Sequence, residues 1–205
     1  MKEIRTFVCE LRAEQNEEHG HFIEGRPIVF GSMTDMGWYD EIIDAGALDN
    51  TDLRDVRLLV NHNVDMIPLA RSRRNTTKST MQLSPVPEGL DMRADLDTEH
   101  NADAKSLYSA IGRGDISGMS FMFTVDADSW ENVESDHPTR HIRSIGRVLE
   151  VSAVTFPAYA DTSISTRGLA DALESAKASL DSERARRAEI ERRRKKIKIL
   201  AEVRK

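Results

Sequence analysis

Apolar and polar residues alternate over much of this chain. Phe7, Cys9 and Leu11 recur at every second position among mostly polar neighbours, the two-residue period of a half-buried strand. His21 to Gly31 predicts a second strand that turns at Gly31, and Trp38 to Asp44 a third that Ala45-Gly46 ends. Val56 to Asn61 is a short apolar run. Met81 to Pro85 and Leu90 to Leu96 flank Pro85-Val86-Pro87-Glu88-Gly89, the signature of a hairpin. Met119 to Val125 and Ile142 to Phe156 complete the strands. One helix is predicted among them, over Ala102 to Ile111. It sets Ala104, Leu107, Tyr108 and Ile111 on one face, and Gly112 and Gly114 stop it. Many short strands with few helices predict a mainly β fold: a closed or nearly closed, mainly antiparallel barrel flanked by helices.

The pattern changes near residue 165. Asp161 to Arg167 reads as a linker. From Leu169 to Arg204 there is no Pro and no Gly, and Ala, Glu, Arg and Lys dominate, which predicts a long charged helix. Leu169, Leu173, Ala176 and Leu180 form an apolar seam at 4-3-4 spacing. The same register then meets Glu183, Arg187, Ile190, Arg194 and Ile197, so the seam breaks midway and supports a short coiled coil or a docking helix rather than a long one. The expected units are therefore a β domain over 1–165 and a C-terminal helix over 166–205.

Composition narrows the class. The chain has 205 residues, 39% of them hydrophobic and 31% charged, enough for one buried core with a strongly solvated part. Its one cysteine, Cys9, excludes an intramolecular disulfide and a Cys-based zinc site. No apolar run reaches the ~18 residues of a membrane span, and Met1 to Arg5 lacks the core of a secretory signal. A soluble, intracellular setting is expected. The net charge of −6 hides a split: Glu183 to Lys205 holds eleven basic and four acidic residues, whereas residues 1–182 hold 18 basic and 31 acidic. An acidic body disfavours nucleic acid as a partner, and the basic tail would attract an acidic one.

Three polar side chains interrupt strongly apolar strands. Leu58-Leu59-Val60-Asn61-His62 ends in an imidazole. Gly118-Met119-Ser120-Phe121-Met122-Phe123 holds a small hydroxyl among bulky residues. Val148-Leu149-Glu150-Val151-Ser152-Ala153-Val154 holds a carboxylate. Burying that carboxylate unpaired costs several kcal/mol, so it needs a donor such as a nearby histidine. A serine, a base and an acidic orienter are the parts of a serine-protease triad. Each also has a bland reading: a structural histidine, a serine chosen for size, a glutamate at a solvated rim. Ser152 and Ser117 are further candidate nucleophiles. Cys9 alternates with Phe7 and Leu11 and reads as a small core residue. His137 and His141, with Glu134 and Asp136, read as a solvated loop, with metal binding as the alternative.

The order of these motifs resembles a known family. Glu41-Ile42-Ile43-Asp44-Ala45-Gly46-Ala47-Leu48, Leu58-Leu59-Val60-Asn61-His62-Asn63, Pro68-Leu69-Ala70, Ile116-Ser117-Gly118-Met119-Ser120-Phe121-Met122-Phe123 and Leu149-Glu150-Val151-Ser152-Ala153-Val154-Thr155-Phe156-Pro157-Ala158-Tyr159 follow one another as in the prohead proteases of tailed bacteriophages, which are related in fold to the herpesvirus assemblins. The resemblance covers about residues 20 to 165. Met122 and Ala70 stand where the family often has glycine.

The resemblance implies a serine endopeptidase with Ser120 as nucleophile, His62 as general base and Glu150 as third member, where the herpesvirus relatives use a second histidine. It implies no cofactor and no metal. The expected substrate is the scaffolding segment of the major capsid protein, or a separate scaffold, inside the immature capsid in the host cytoplasm. Self-cleavage and self-association through the C-terminal helix are further expectations, and no membrane or specific nucleic acid is expected as a partner. The oxyanion would be held by N–H groups of the turn at 156–160, or by Arg143 or Arg147. The competing class is a non-catalytic capsid-assembly scaffold on the same fold.

Overall fold

The computed structural model describes residues 2–9, 11–17, 20–156 and 166–203. In chain order the strands are Lys2–Val8 (β1), Arg12–Asn16 (β2), Gly20–Val29 (β3), Met33–Asp35 (β4), Asp40–Ile43 (β5), Arg57–Val60 (β6), Ala70–Arg71 (β7), Met81–Val86 (β8) and Gly89–Asp95 (β9). Helix Ala102–Gly112 (α1) follows, then strands Gly118–Glu131 (β10) and Thr139–Val154 (β11), and finally helix Thr166–Val203 (α2).

The strands form two sheets. The larger runs β1-β10-β11-β5-β4, with β6 paired further along β11 and β7 paired to β6. The smaller is antiparallel, β2-β3-β9-β8. Among the described residues no ladder joins the two, so the chain is mainly β with two helices but is not closed into a barrel. The reason lies in β11. One edge of this 16-residue strand pairs antiparallel with β10, while the other is shared by β5 over Thr139–Ile142 and β6 over Glu150–Ala153, both parallel. Short strands stacked end to end along one long strand finish the sheet without bending it round.

The core lies between the sheets. Met119, Phe121 and Phe123 of β10, with Val148, Val151 and Ala153 of β11, meet Ile23, Ile28, Leu90 and Met92 of the smaller sheet. Alternation therefore puts Ser120 and Met122, and Glu150 and Ser152, on the opposite face of the large sheet. α1 starts at Asn101, whose side chain accepts from the Asp103 and Ala104 amides, and buries Ala104, Leu107 and Ile111 as its periodicity predicts.

α2 is two helices in function. Its first half buries Ala172, Ala176 and Leu180 near Tyr39 and Trp130, so the apolar seam meets the chain's own sheet. The side chain of Leu169, and the linker up to residue 165, lie outside the described residues. Beyond Arg187 every described side chain is exposed, and Ile190 and Ile197 lie open to solvent.

Under α2 sits a cluster of buried charge. Arg5 donates to both oxygens of Glu41 and, at 2.6 Å, to Glu3 Oε2. Arg140 donates to both oxygens of Glu3 at 2.9 and 3.1 Å, to Glu41 at 3.2 Å and to Asp128 at 2.7 Å. Glu3, Arg5, Glu41 and Arg140 are each at most 3% exposed. Burial pushes the Glu3 carboxyl upward, but the charge of Arg5 and the hydrogen bond from Arg140 outweigh it and hold the group below its ordinary value. α2 closes the cluster through Ser175, which donates to Glu3 at 3.2 Å, and Ser179, which donates to Asp128 at 2.8 Å. Because removing one member strands the others in low dielectric, Arg140→Met should cost about 3–5 kcal/mol of stability in denaturant titration. A loss below about 1 kcal/mol would mean that the stranded carboxylates recover solvent or a proton.

Candidate active site

β6 ends at Val60 and the chain turns back at once. Asn61 and His62 both adopt left-handed backbone, φ 51° and 56°, and the Asn63 amide donates to the Val60 carbonyl at 3.1 Å. Positive φ at both central residues with this closing bond marks a type I′ turn. Asparagine enters that region readily, histidine less so. The turn is fastened to β11. The Asn61 amide donates to the Ala153 carbonyl at 3.0 Å, Asn61 Nδ2 donates to Thr155 Oγ1 at 3.0 Å, and the Thr155 amide donates to Asn61 Oδ1 at 2.9 Å.

So held, the imidazole of His62 lies against β11. Its Nδ1 is 2.5 Å from Glu150 Oε1. Glu150 is 3% exposed, and its second oxygen accepts from Ser152 Oγ at 2.6 Å. The same Ser152 hydroxyl accepts the His62 backbone N–H at 3.1 Å. A bulge sits beside Glu150: Met122 faces Glu150 and Phe123 faces Val148, leaving Leu149 without a cross-strand partner. His62 Nε2 is buried and has no hydrogen-bond partner among the described residues.

Ser120 lies one strand away on the same sheet face, directly opposite Ser152 on β11 and opposite Thr6 on β1. It is fully buried. Its hydroxyl donates to the Arg5 carbonyl at 2.8 Å and accepts from Thr6 Oγ1 at 2.8 Å. The structure thus joins His62 to Glu150 by a direct bond, and sets Ser120 opposite Ser152 on the same sheet face with its hydroxyl turned to β1.

The other candidates fall elsewhere. Ser117 is exposed before β10. Cys9 is half-buried against the core, where burial pushes its thiol up to about 11, which suits an inert core residue. Arg143 is bound to Asp44 and Ser129, and Arg147 lies 3.8 Å from Asp52. Of the expected oxyanion turn only Phe156 is described, and it is exposed. His141 bonds Asp44, while His137 meets Asp40 at 3.1 Å in an open group with Asp35. Val64 and Ile67, on the loop after His62, and Phe156, next to Thr155 in the chain, are exposed apolar residues, and single exposed apolar residues carry no functional signal in a sequence.

The family described as caudovirus prohead serine protease matches residues 8–175. No curated protein sequence matches the chain. Among solved structures, the bacteriophage T4 capsid assembly protease gp21 matches at 12% identity and a TM-score of 0.38, covering 76% of this chain and 99% of that one. At that identity and score no residue correspondence follows.

The turn that carries His62 can be tested apart from chemistry. Asn61→Gly keeps the left-handed backbone and loses the Thr155 bonds, so it should cost about 1 kcal/mol. Asn61→Ala loses the same bonds and keeps a β-carbon in that region, so it should be about 1–2 kcal/mol less stable than Asn61→Gly. Thermal melts of the two variants measure the difference. Equal stability would mean that the turn relaxes to another shape.

Proposed function

This chain belongs to the caudovirus prohead serine proteases, and we propose that it is an active serine endopeptidase with Ser120, His62 and Glu150 as its catalytic groups. Its substrate is the scaffolding segment of the major capsid protein, or a separate scaffold, inside the immature capsid within the host cytoplasm, and it also cleaves itself.

The observation that supports this reading is the His62–Glu150 pair. The carboxylate accepts Nδ1–H, which leaves the lone pair on Nε2, the atom a general base uses. That atom has no hydrogen-bond partner among the described residues. Rotation about the Cα–Cβ bond of Ser120 carries its hydroxyl from the β1 side of β10 to the β11 side, where His62 is held. The motion gives up two neutral hydrogen bonds on the β1 side, to the Arg5 carbonyl and from Thr6, each worth about 1 kcal/mol. Ser120 Oγ then attacks the scissile carbonyl as Nε2 takes its proton, and the imidazolium returns the proton to the leaving amine. Glu150 stabilises the imidazolium. With Arg143 and Arg147 engaged elsewhere, N–H groups of the stretch 156–160 are our candidates for the oxyanion.

In this reading residues 1–165 carry the chemistry and 166–205 form a tail that docks on an acidic surface of the capsid protein or scaffold, associates with another copy, or is removed by self-cleavage. No described helix is long and apolar enough to cross a membrane.

Ser120→Ala should abolish cleavage with folding retained, and His62→Ala should cost several orders of magnitude. Glu150→Gln keeps size but loses the charge and should reduce turnover strongly. Mass spectrometry of the purified chain, alone and co-expressed with its capsid protein, measures this. A wild-type chain that folds but cleaves neither favours the non-catalytic scaffold, and an active Ser120→Ala variant removes the nucleophile.

The tail calls for a cut that spares the packed half of α2. Deleting residues 189–205 keeps the Arg184 and Arg187 bonds to the Val133 and Trp130 carbonyls. Peptide turnover should stay within about twofold of wild type, because these residues touch no site group, while incorporation into assembling capsids should fall and depend on salt. Normal incorporation would remove the docking role.

A further inference from the structure

Ser152 has the features of a working group and none of the features of a nucleophile. It is fully buried. Its single proton goes to Glu150 Oε2 at 2.6 Å, and its lone pair receives the His62 backbone N–H at 3.1 Å. Both bonds point into the protein, and no imidazole nitrogen is set to take its proton.

The contacts close a ring. The main chain of His62 donates to Ser152, Ser152 donates to one oxygen of Glu150, and the other oxygen of Glu150 meets the Nδ1 of the same histidine. Each member fixes another. Without Ser152, Glu150 keeps one partner and can swing about its terminal torsion, which is broad for a carboxylate. The His62 main chain, already in the left-handed region, loses the acceptor that holds its N–H against β11. Backbone and ring of the histidine are thus aligned by one hydroxyl two residues from the carboxylate, on the same face of the same strand.

We propose that Ser152 is a positioning residue of this protease: it locks the Glu150 carboxylate and the His62 backbone together so that Nε2 faces Ser120. This rests on the triad reading above and adds a fourth group to it. Ser152 touches no substrate, so its loss should appear in the chemical step and leave substrate binding alone.

The test compares wild type, Ser152→Ala and Ser152→Thr, all as the full chain. Ser152→Thr keeps the hydroxyl on a strand that favours β-branched residues. Ser152→Ala should lower kcat by about 10- to 100-fold, what a hydrogen bond to a charged group is worth, with KM within about twofold. Ser152→Thr should recover most of the loss. Labelling by a fluorophosphonate should slow in parallel in Ser152→Ala yet still fall on Ser120. The low-field proton resonance of the Nδ1–H···Glu150 bond should broaden or vanish in Ser152→Ala and return in Ser152→Thr. The unchanged amide spectrum would show that the fold is intact.

Full kcat and an unchanged low-field resonance in Ser152→Ala would overturn the positioning role and leave Ser120, His62 and Glu150 in place. Labelling of Ser152 in wild type, with Ser120→Ala still active, would instead overturn the triad reading and this proposal together. Should Ser152→Ala fail to fold, Ser152→Thr against wild type decides: an intact fold and resonance with kcat lost by more than tenfold would contradict the role of the hydroxyl.

Discussion

Two buried charges on one strand govern this molecule. Arg140 and Glu150 stand near opposite ends of β11, 1% and 3% exposed, and burying either one without a partner would cost several kcal/mol. Arg140 draws in Glu3 from β1, Glu41 from β5 and Asp128 from β10. Glu150 draws in His62 from the turn after β6 and Ser152 from its own strand. The partners come from strands that flank β11 or lie one strand beyond it. The first cluster seats the N-terminal strand and α2. The second gathers the groups suited to chemistry.

Much of this is legible in the sequence. Glu150 stood out because its run is apolar on both sides, and a buried carboxylate implies a donor; His62 was the natural one at the end of a short apolar strand. The sequence offers Ser152 as a competing nucleophile because it shows that a hydroxyl shares a face with a carboxylate but not where its proton goes. Arg140 escaped notice inside the polar stretch His137-Pro138-Thr139-Arg140-His141, which reads as a loop. Its signal was the period of two running back from Ile142, which places Arg140 on the same inward face. The second half of β10, Asp126 to Glu131, was hidden in the same way: its polar side chains mask a long hairpin with β11.

The two remaining differences share one cause, the identity of a partner. The seam on α2 was visible as Leu173, Ala176 and Leu180, and a seam is equally satisfied by another helix or by a sheet. Here Tyr39 and Trp130 supply the surface. Likewise many short strands suggest a barrel, but closure requires the last strand to find the first, a long-range choice that local alternation does not encode. In this chain β5 and β6 both pair with β11, and two packed sheets result.

Arg5 joins the ion network to Ser120. Its guanidinium belongs to the buried ion network, and its carbonyl receives the proton of Ser120. The side chain is anchored by several charge-assisted bonds, the strong kind, whereas the carbonyl holds Ser120 by one neutral bond, the weak kind. In the proposed mechanism Ser120 turns toward His62 by exchanging its neutral bonds to Arg5 and Thr6, while the charge-assisted bonds of the network stay in place. Histidine and carboxylate are held by a ring of bonds, and the serine by neutral bonds that such a turn would exchange. That asymmetry follows from where charge is buried: the charged groups of the network cannot move without being stranded, and a neutral hydroxyl can.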